Sequence, residues 1–175
     1  LEARTGAYVW HYQTTPGDDW DYTATQPLML LDLEIEGRMR EVIVQAPKNG
    51  FFYVVDRHTG ALISAEPFTE DLTWATGVDL ETGRPMETPE ARYGQTGQGV
   101  YISPGAQGAH NWHPMTWNAE TGLVYIPAQN NNLFYEFDPD FAYTQGVWNT
   151  GTGPLMGGPN RPDRPELVGP RTLLL

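Results

Sequence analysis

The stretch Phe51-Phe52-Tyr53-Val54-Val55-Asp56-Arg57-His58-Thr59-Gly60 decides the fold class. Consecutive aromatic and β-branched residues favour a pleated, buried strand. Asp56 then opens a turn: its carboxylate caps the local backbone, and Gly60 takes the positive φ that other residues avoid. The same pattern recurs as Glu2-Ala3-Arg4-Thr5-Gly6, Asp79-Leu80-Glu81-Thr82-Gly83 and Asn118-Ala119-Glu120-Thr121-Gly122. One copy marks only a turn. Four copies in 175 residues, set among short strands, predict repeated antiparallel units.

Working outward, Val42-Ile43-Val44, Val124-Tyr125-Ile126 and Leu133-Phe134-Tyr135-Glu136-Phe137 are also strand-like. Each is short and bounded by Gly, Pro, Asn or Asp. No helical stripe extends beyond about ten residues without a breaker. The best helix candidate covers residues 68–76. Glycine (19) and proline (15) point the same way, to a turn-dense, all-β chain. Residues 151–170 read as a Gly/Pro-rich surface loop, with Arg171-Thr172-Leu173-Leu174-Leu175 opening a further strand. At roughly 40–50 residues per blade, the chain holds about three blades of a propeller, an incomplete ring. Leu1 in place of methionine, and the apolar Leu173-Leu174-Leu175, suggest a fragment of a longer protein.

Lysine and arginine total 10 against 22 acidic residues, a formal charge of -12. Such a chain is repelled by phosphate backbones, which argues against nucleic-acid binding. There is no cysteine, so disulfides, thiolate metal sites and covalent haem attachment are excluded within this stretch. No apolar run approaches the ~18 residues of a membrane-spanning helix.

Three clusters could carry chemistry. Pro16-Gly17-Asp18-Asp19-Trp20-Asp21-Tyr22 sets carboxylates among aromatics. It reads as an acidic turn or, if extended, as Asp21 pointing opposite to Trp20 and Tyr22. Among aromatics Asp21 would be desolvated, with its pKa raised toward that of a general base. Lys48 is the only lysine and lies in the turn Gln45-Ala46-Pro47-Lys48-Asn49-Gly50. It is either a solvated turn residue or a point charge aimed at an anionic or carbonyl oxygen. In His110-Asn111-Trp112-His113 the histidines have metal-ligand spacing but no evident third ligand. Asn111 with Trp112 better suits a planar polar ligand, one residue bonding and the other stacking. No phosphate-cradling loop or nucleophile elbow is present.

Taken together and in this order, these clusters resemble the pyrroloquinoline quinone (PQQ)-dependent alcohol dehydrogenases, a quinoprotein family. The likeness also rests on Thr5-Gly6-Ala7-Tyr8-Val9-Trp10-His11-Tyr12-Gln13, similar to that family's tryptophan-docking motif, and on Thr121-Gly122-Leu123-Val124-Tyr125-Ile126-Pro127-Ala128-Gln129. The resemblance implies that residues 1–175 are part of one PQQ-binding, eight-bladed β-propeller domain. It implies Asp21 as the base that takes the alcohol's hydroxyl proton while hydride passes to PQQ. Lys48, Asn111 and Trp112 would contact PQQ, with lysine standing where other members have arginine. A calcium ion would act as Lewis acid. Its main ligands would lie upstream of Leu1, with Asp21 nearby. Lanthanide-using relatives carry a second aspartate two residues after the base. Thr23 stands there, which favours calcium. The implied setting is periplasmic, with a small primary alcohol as substrate and a cytochrome c or similar electron acceptor. A fused cytochrome domain would lie beyond Leu175. The alternatives are a PQQ-dependent sugar or polyol dehydrogenase and a non-catalytic propeller scaffold.

Overall fold

A computed structural model of the chain describes residues 1–153 and 162–167. Its centre is a four-stranded antiparallel meander, ordered β1-β2-β3-β4. The strands are β1 (Met29–Ile35), β2 (Arg38–Gln45), β3 (Phe51–Asp56) and β4 (Leu62–Pro67). Glu36 and Gly37 join β1 to β2 with φ of 52° and 73°, the paired positive values of a tight hairpin turn. Turn 56–60 joins β3 to β4 as its sequence predicts. Gly60 lies at φ 74°, and Asp56 Oδ1 accepts from the amides of His58 and Thr59.

Three two-stranded antiparallel pairs surround this sheet: β5 (Ala75–Asp79) with β6 (Arg84–Glu87), β7 (Val100–Ile102) with β10 (Leu133–Tyr135), and β8 (Thr116–Asn118) with β9 (Leu123–Tyr125). The Thr-Gly turns at 79–83 and 118–122 close the first and last pairs. In each, the glycine amide donates to the carbonyl of the Asp or Asn that opens the turn. The only helical turns among the described residues are a 3-10 turn, Pro89–Ala91, and α1 (Tyr93–Thr96). The chain is thus all-β, in antiparallel sheets that close no ring among the described residues.

Residues 68–76 do not form the expected helix. Phe68 and Trp74 are both buried but belong to different cores, on opposite faces of the meander. No single helical face can serve both. The segment is instead irregular and bent, with the Phe68 amide bonded to Gly50 and the Thr73 amide to Ser103, before β5 begins. The run at 133–137 is strand only through Tyr135, with Phe137 bridging to Thr152. Within the loop expected at 151–170, residues 162–167 are irregular and largely exposed. The remainder of that loop after Gly153, and the strand expected at its end, lie outside the described residues.

Period-2 alternation along β3 supplies both cores. Phe51, Tyr53 and Val55 face one cluster with Trp20, Tyr22, Trp74, Tyr93 and Tyr135. Phe52 and Val54 face the other, with Val42, Val44, Phe68 and Met115. The N-terminal segment is fastened by two aromatics. Trp10 lies on the Gly60 turn so closely that an added Cβ there would come within 2.5 Å of the indole, and its Nε1 donates to Arg57 O. Tyr12 lies on Gly83 in the same way and donates its hydroxyl to Gly83 O.

Candidate active site

Residues 16–22 feed Trp20 and Tyr22 into the first core. Trp20 and Tyr22 are fully buried and stack at 5.5 Å, both against Trp74. Their polar ends are satisfied at a distance in sequence: Trp20 Nε1 donates to Ala91 O, and the Tyr22 hydroxyl donates to Pro104 O. Asp21, between them, has a left-handed backbone, φ 67°, so the extended alternation that would set it opposite both rings is not what the structure holds. Its side chain is 63% exposed. The expected desolvation of Asp21 is not found: burying its two neighbours turns it out to solvent. Asp18 is the carboxyl that burial raises above its ordinary range, although its Oδ1 accepts from the Trp20 amide.

Lys48 is not a solvated turn lysine. It is only 7% exposed, and its ammonium donates to Asp21 O at 2.9 Å and to Asp21 Oδ2 at 3.1 Å. The turn beneath it is fixed by Asn49, which is wholly buried. Asn49 Nδ2 reaches the Tyr53 hydroxyl and Thr15 Oγ1, and Asn49 O accepts from Trp74 Nε1.

Residues 108–113 are zipped to the same turn. The Ala109 amide donates to Lys48 O, and Gly108, at φ 78°, packs directly on the Lys48 stem. His110 is completely buried, with Nδ1 2.6 Å from Ala46 O and Nε2 2.7 Å from His113 O. A ring committed to two carbonyls is a structural pin, so the histidine pair is not a metal site. His113 is exposed and stacks on Trp112 at 4.3 Å. No group of three or more His, Cys, Asp or Glu suited to a metal ion occurs among the described residues. Asn111 bonds only locally, to Gln107 O and the Trp112 amide, and Trp112 is 70% exposed. Asp21 and Lys48 are thus in contact. Asn111 and Trp112 hydrogen-bond to neither among the described residues, but they extend from the segment wedged against Lys48.

Three residues around Asp21 escaped the sequence reading: Arg92, Tyr93 and Tyr135. Arg92 Nη1 bonds Asp19 Oδ2 at 2.7 Å, and its guanidinium lies 4.5 Å over the Trp20 ring. The hydroxyls of Tyr93 and Tyr135 donate to Asp19 O and Trp20 O. These partners lie 73 to 115 residues from the segment they hold, and no local pattern announces them.

The model of the "Glucose/ethanol/alcohol dehydrogenase, beta-propeller domain" family matches residues 1–70. A quinohemoprotein alcohol dehydrogenase of Pseudomonas putida, ADH-IIG, is 52% identical over 80% of this chain and 20% of its own length. The solved structure of quinohemoprotein alcohol dehydrogenase ADHIIG from Pseudomonas putida HK5 superposes with a TM-score of 0.83 at 48% identity, covering 87% of this chain and 23% of that one. A 1-butanol dehydrogenase (cytochrome c) of Thauera butanivorans is 49% identical over 83% of this chain and 20% of its own length. A europium-containing methanol dehydrogenase structure aligns with a TM-score of 0.69 at 39% identity, over 78% of this chain and 23% of that one. The chain spans about a fifth of the length of the curated relatives it matches. With all-β antiparallel sheets and this likeness along most of its length, the chain belongs to the family of PQQ-dependent alcohol dehydrogenases and carries part of their β-propeller fold.

Proposed function

We propose that the protein oxidises a primary alcohol in a PQQ-dependent reaction, and that this chain contributes the general base and a quinone-facing cation. The observation that carries the reading is the contact between a buried lysine and an exposed aspartate. PQQ, when bound, supplies the quinone that accepts hydride. The donor set suits such a group. An ammonium has three N–H bonds, and Asp21 takes two of those on Lys48, so the third is available to a quinone oxygen. The Asn111 amide and the exposed Trp112 face suit a planar polar ring.

Asp21 is the base. Lys48 binds its Oδ2 and its backbone carbonyl, so the carboxylate is oriented without being enclosed. The side chain is 63% exposed, which leaves the carboxylate accessible to a hydroxyl proton. Lys48 keeps a positive charge beside the place where negative charge develops on an oxygen, without having to reorganise. We favour calcium as the accompanying ion, because Thr23 occupies the position where lanthanide users carry aspartate. The described residues do not by themselves form a cation site, so no step is assigned through the ion. A cytochrome c-type acceptor is the natural electron partner, as in the name of the Thauera relative. The charge of -12 suits a basic surface on that acceptor. We place the reaction in the periplasm.

The test is dye-linked alcohol oxidation by the full-length protein, with and without PQQ and calcium. Activity that requires both is expected. Asp21→Asn should retain PQQ and lose about 10²–10⁴-fold in kcat, the usual range for a positioned base. Retained turnover would remove Asp21 from that role. Activity confined to sugars would move the substrate class. Failure to retain PQQ, with no activity on any alcohol or sugar, would leave a propeller scaffold.

A further inference from the structure

Asp21 holds a backbone conformation that a non-glycine residue adopts only where its surroundings enforce it. The enforcing groups can be named. Three successive carbonyls, of Asp19, Trp20 and Asp21, each accept from a side chain on a different element: the Tyr93 hydroxyl from α1, the Tyr135 hydroxyl from β10, and Lys48 Nζ from the β2–β3 turn, each at 2.9 Å. Upstream of them, Arg92 spends all five of its N–H donors. Nε and one Nη2 hydrogen go to the Glu87 carboxylate on β6, at 2.7 and 2.6 Å. Nη1 serves Gly17 O and Asp19 Oδ2, and the second Nη2 hydrogen reaches Pro16 O at 3.4 Å. The same guanidinium caps the Trp20 ring. Residues 16–21 are thereby fixed from the β5–β6 hairpin side and from β10, independently of Lys48.

We infer that Arg92, Tyr93 and Tyr135 are positioning residues for the reaction, holding the left-handed Asp21 backbone so that its carboxylate is presented at a fixed place beside Lys48. None touches the carboxylate; each acts through the peptide units before it. Lysine cannot replace Arg92, because a point charge with three donors cannot span Glu87, Asp19 and two carbonyls in one plane. The inference rests on the reading of Asp21 as the base.

The experiment uses the full-length PQQ-loaded protein with Arg92→Lys and, as a near-isosteric second variant, Tyr135→Phe. Turnover is normalised to PQQ content measured by absorbance. Amide exchange by mass spectrometry is followed over residues 16–22 and over the β1–β4 sheet. Expected are a kcat per loaded site lowered about 10–100-fold for Arg92→Lys and about 3–10-fold for Tyr135→Phe, with KM within about twofold. Exchange should quicken in residues 16–22 alone. Unchanged kcat per loaded site in both variants overturns the inference. So does a loss that merely follows falling PQQ content, with exchange faster throughout the sheet, since that marks a general loss of structure. Asp21→Asn run alongside separates the two levels. If it keeps full turnover, the base assignment fails. If it loses turnover while both variants keep theirs, only the positioning role fails.

Discussion

Residues 16–22 and residues 108–113 both carry candidate site residues and both bond to Lys48, and they are held in contrasting ways. The first is bound by side chains from distant elements: Arg92, Tyr93, Tyr135 and Lys48 itself. The backbone of the second is held too, by Lys48 O, by Gln129 and Asn131 on Gly108 O, by Gln26 on His110 O and by the buried His110 ring, which also reaches His113 O. Its site side chains are what differ: Asn111 bonds only to near neighbours, and Trp112 rests on His113 in solvent. On the roles proposed above, the contrast suits two jobs. A base would have to be in place before substrate arrives, and the Asp21 segment is held from several sides. A residue stacking on a planar ring could settle when the ring arrives, and the Trp112 indole is exposed.

The largest expected effect would break this contrast at its hinge. Gly108→Ala places a Cβ 2.5 Å from Lys48 Cβ and 2.7 Å from Lys48 Cα, at a φ of 78° that alanine resists. Overpacking and backbone strain together should cost about 2–4 kcal/mol, read as a lower denaturant midpoint. Gly122→Ala is the control, with a similar φ of 68° but nothing within 4 Å, and should cost only about 1 kcal/mol. Equal losses in the two variants would mean that the 108–113 segment is not wedged against Lys48. Next in size, Lys48→Met removes the donor shared by Asp21 O and Oδ2. Because the carboxylate is mostly exposed, the stability loss should be about 1–2 kcal/mol in a thermal melt, well below that of a fully buried pair.

Two smaller effects sharpen the comparison. Trp112→Ala should change stability by less than about 0.5 kcal/mol, because the indole is exposed. It should weaken PQQ binding about tenfold in a titration of the apoprotein, the scale of one aromatic stack. A melt lowered as far as that of Gly108→Ala would show the open end to be structural. The smallest effect concerns pH. Burial is the leading cause that raises the Asp18 carboxyl, so folding favours its protonated form. Its stabilising contribution is complete below the unfolded value near 4 and is lost as pH rises through the folded value. Residues 16–22 should therefore exchange amides faster as pH rises above about 4, after correction for intrinsic rates. Asp18→Asn should flatten the dependence; a slope that survives it would place the titration elsewhere.

What could be read from the sequence follows from how local each determinant is. The strands β2, β3, β9 and β10 announce themselves through dense β-branched and aromatic residues. The Thr-Gly turns do so because their chemistry is complete within five residues. β1 is quieter: Asp32 and Glu34 alternate with Leu31, Leu33 and Ile35, which gives the right period at low apolar density. The residues 68–76 misled because their apolar side chains serve two cores, a fact of topology. Asp21 and Lys48 were legible as residue types within motifs. Their contact across 27 positions, and the exposure of Asp21, depend on where the aromatic neighbours bury. Arg92, Tyr93 and Tyr135 act at long range on backbone carbonyls, and nothing in a sequence marks a carbonyl as pinned.

Trp10 and Tyr12, two residues apart, rest on the turn glycines of two different hairpins, whereas among the described residues Gly6 and Gly122 have no atom near enough to meet an added Cβ. This divides five-residue motifs of one pattern into sites that accept grafting and sites that refuse it. An epitope tag or fluorophore-bearing loop inserted at residue 122 would meet no covering side chain. The same insertion at residue 60 would lift Trp10, and at residue 83 Tyr12, off its seat and loosen the N-terminal segment from that hairpin. For labelling or immobilising this protein, the turn at 118–122 is the point of attachment.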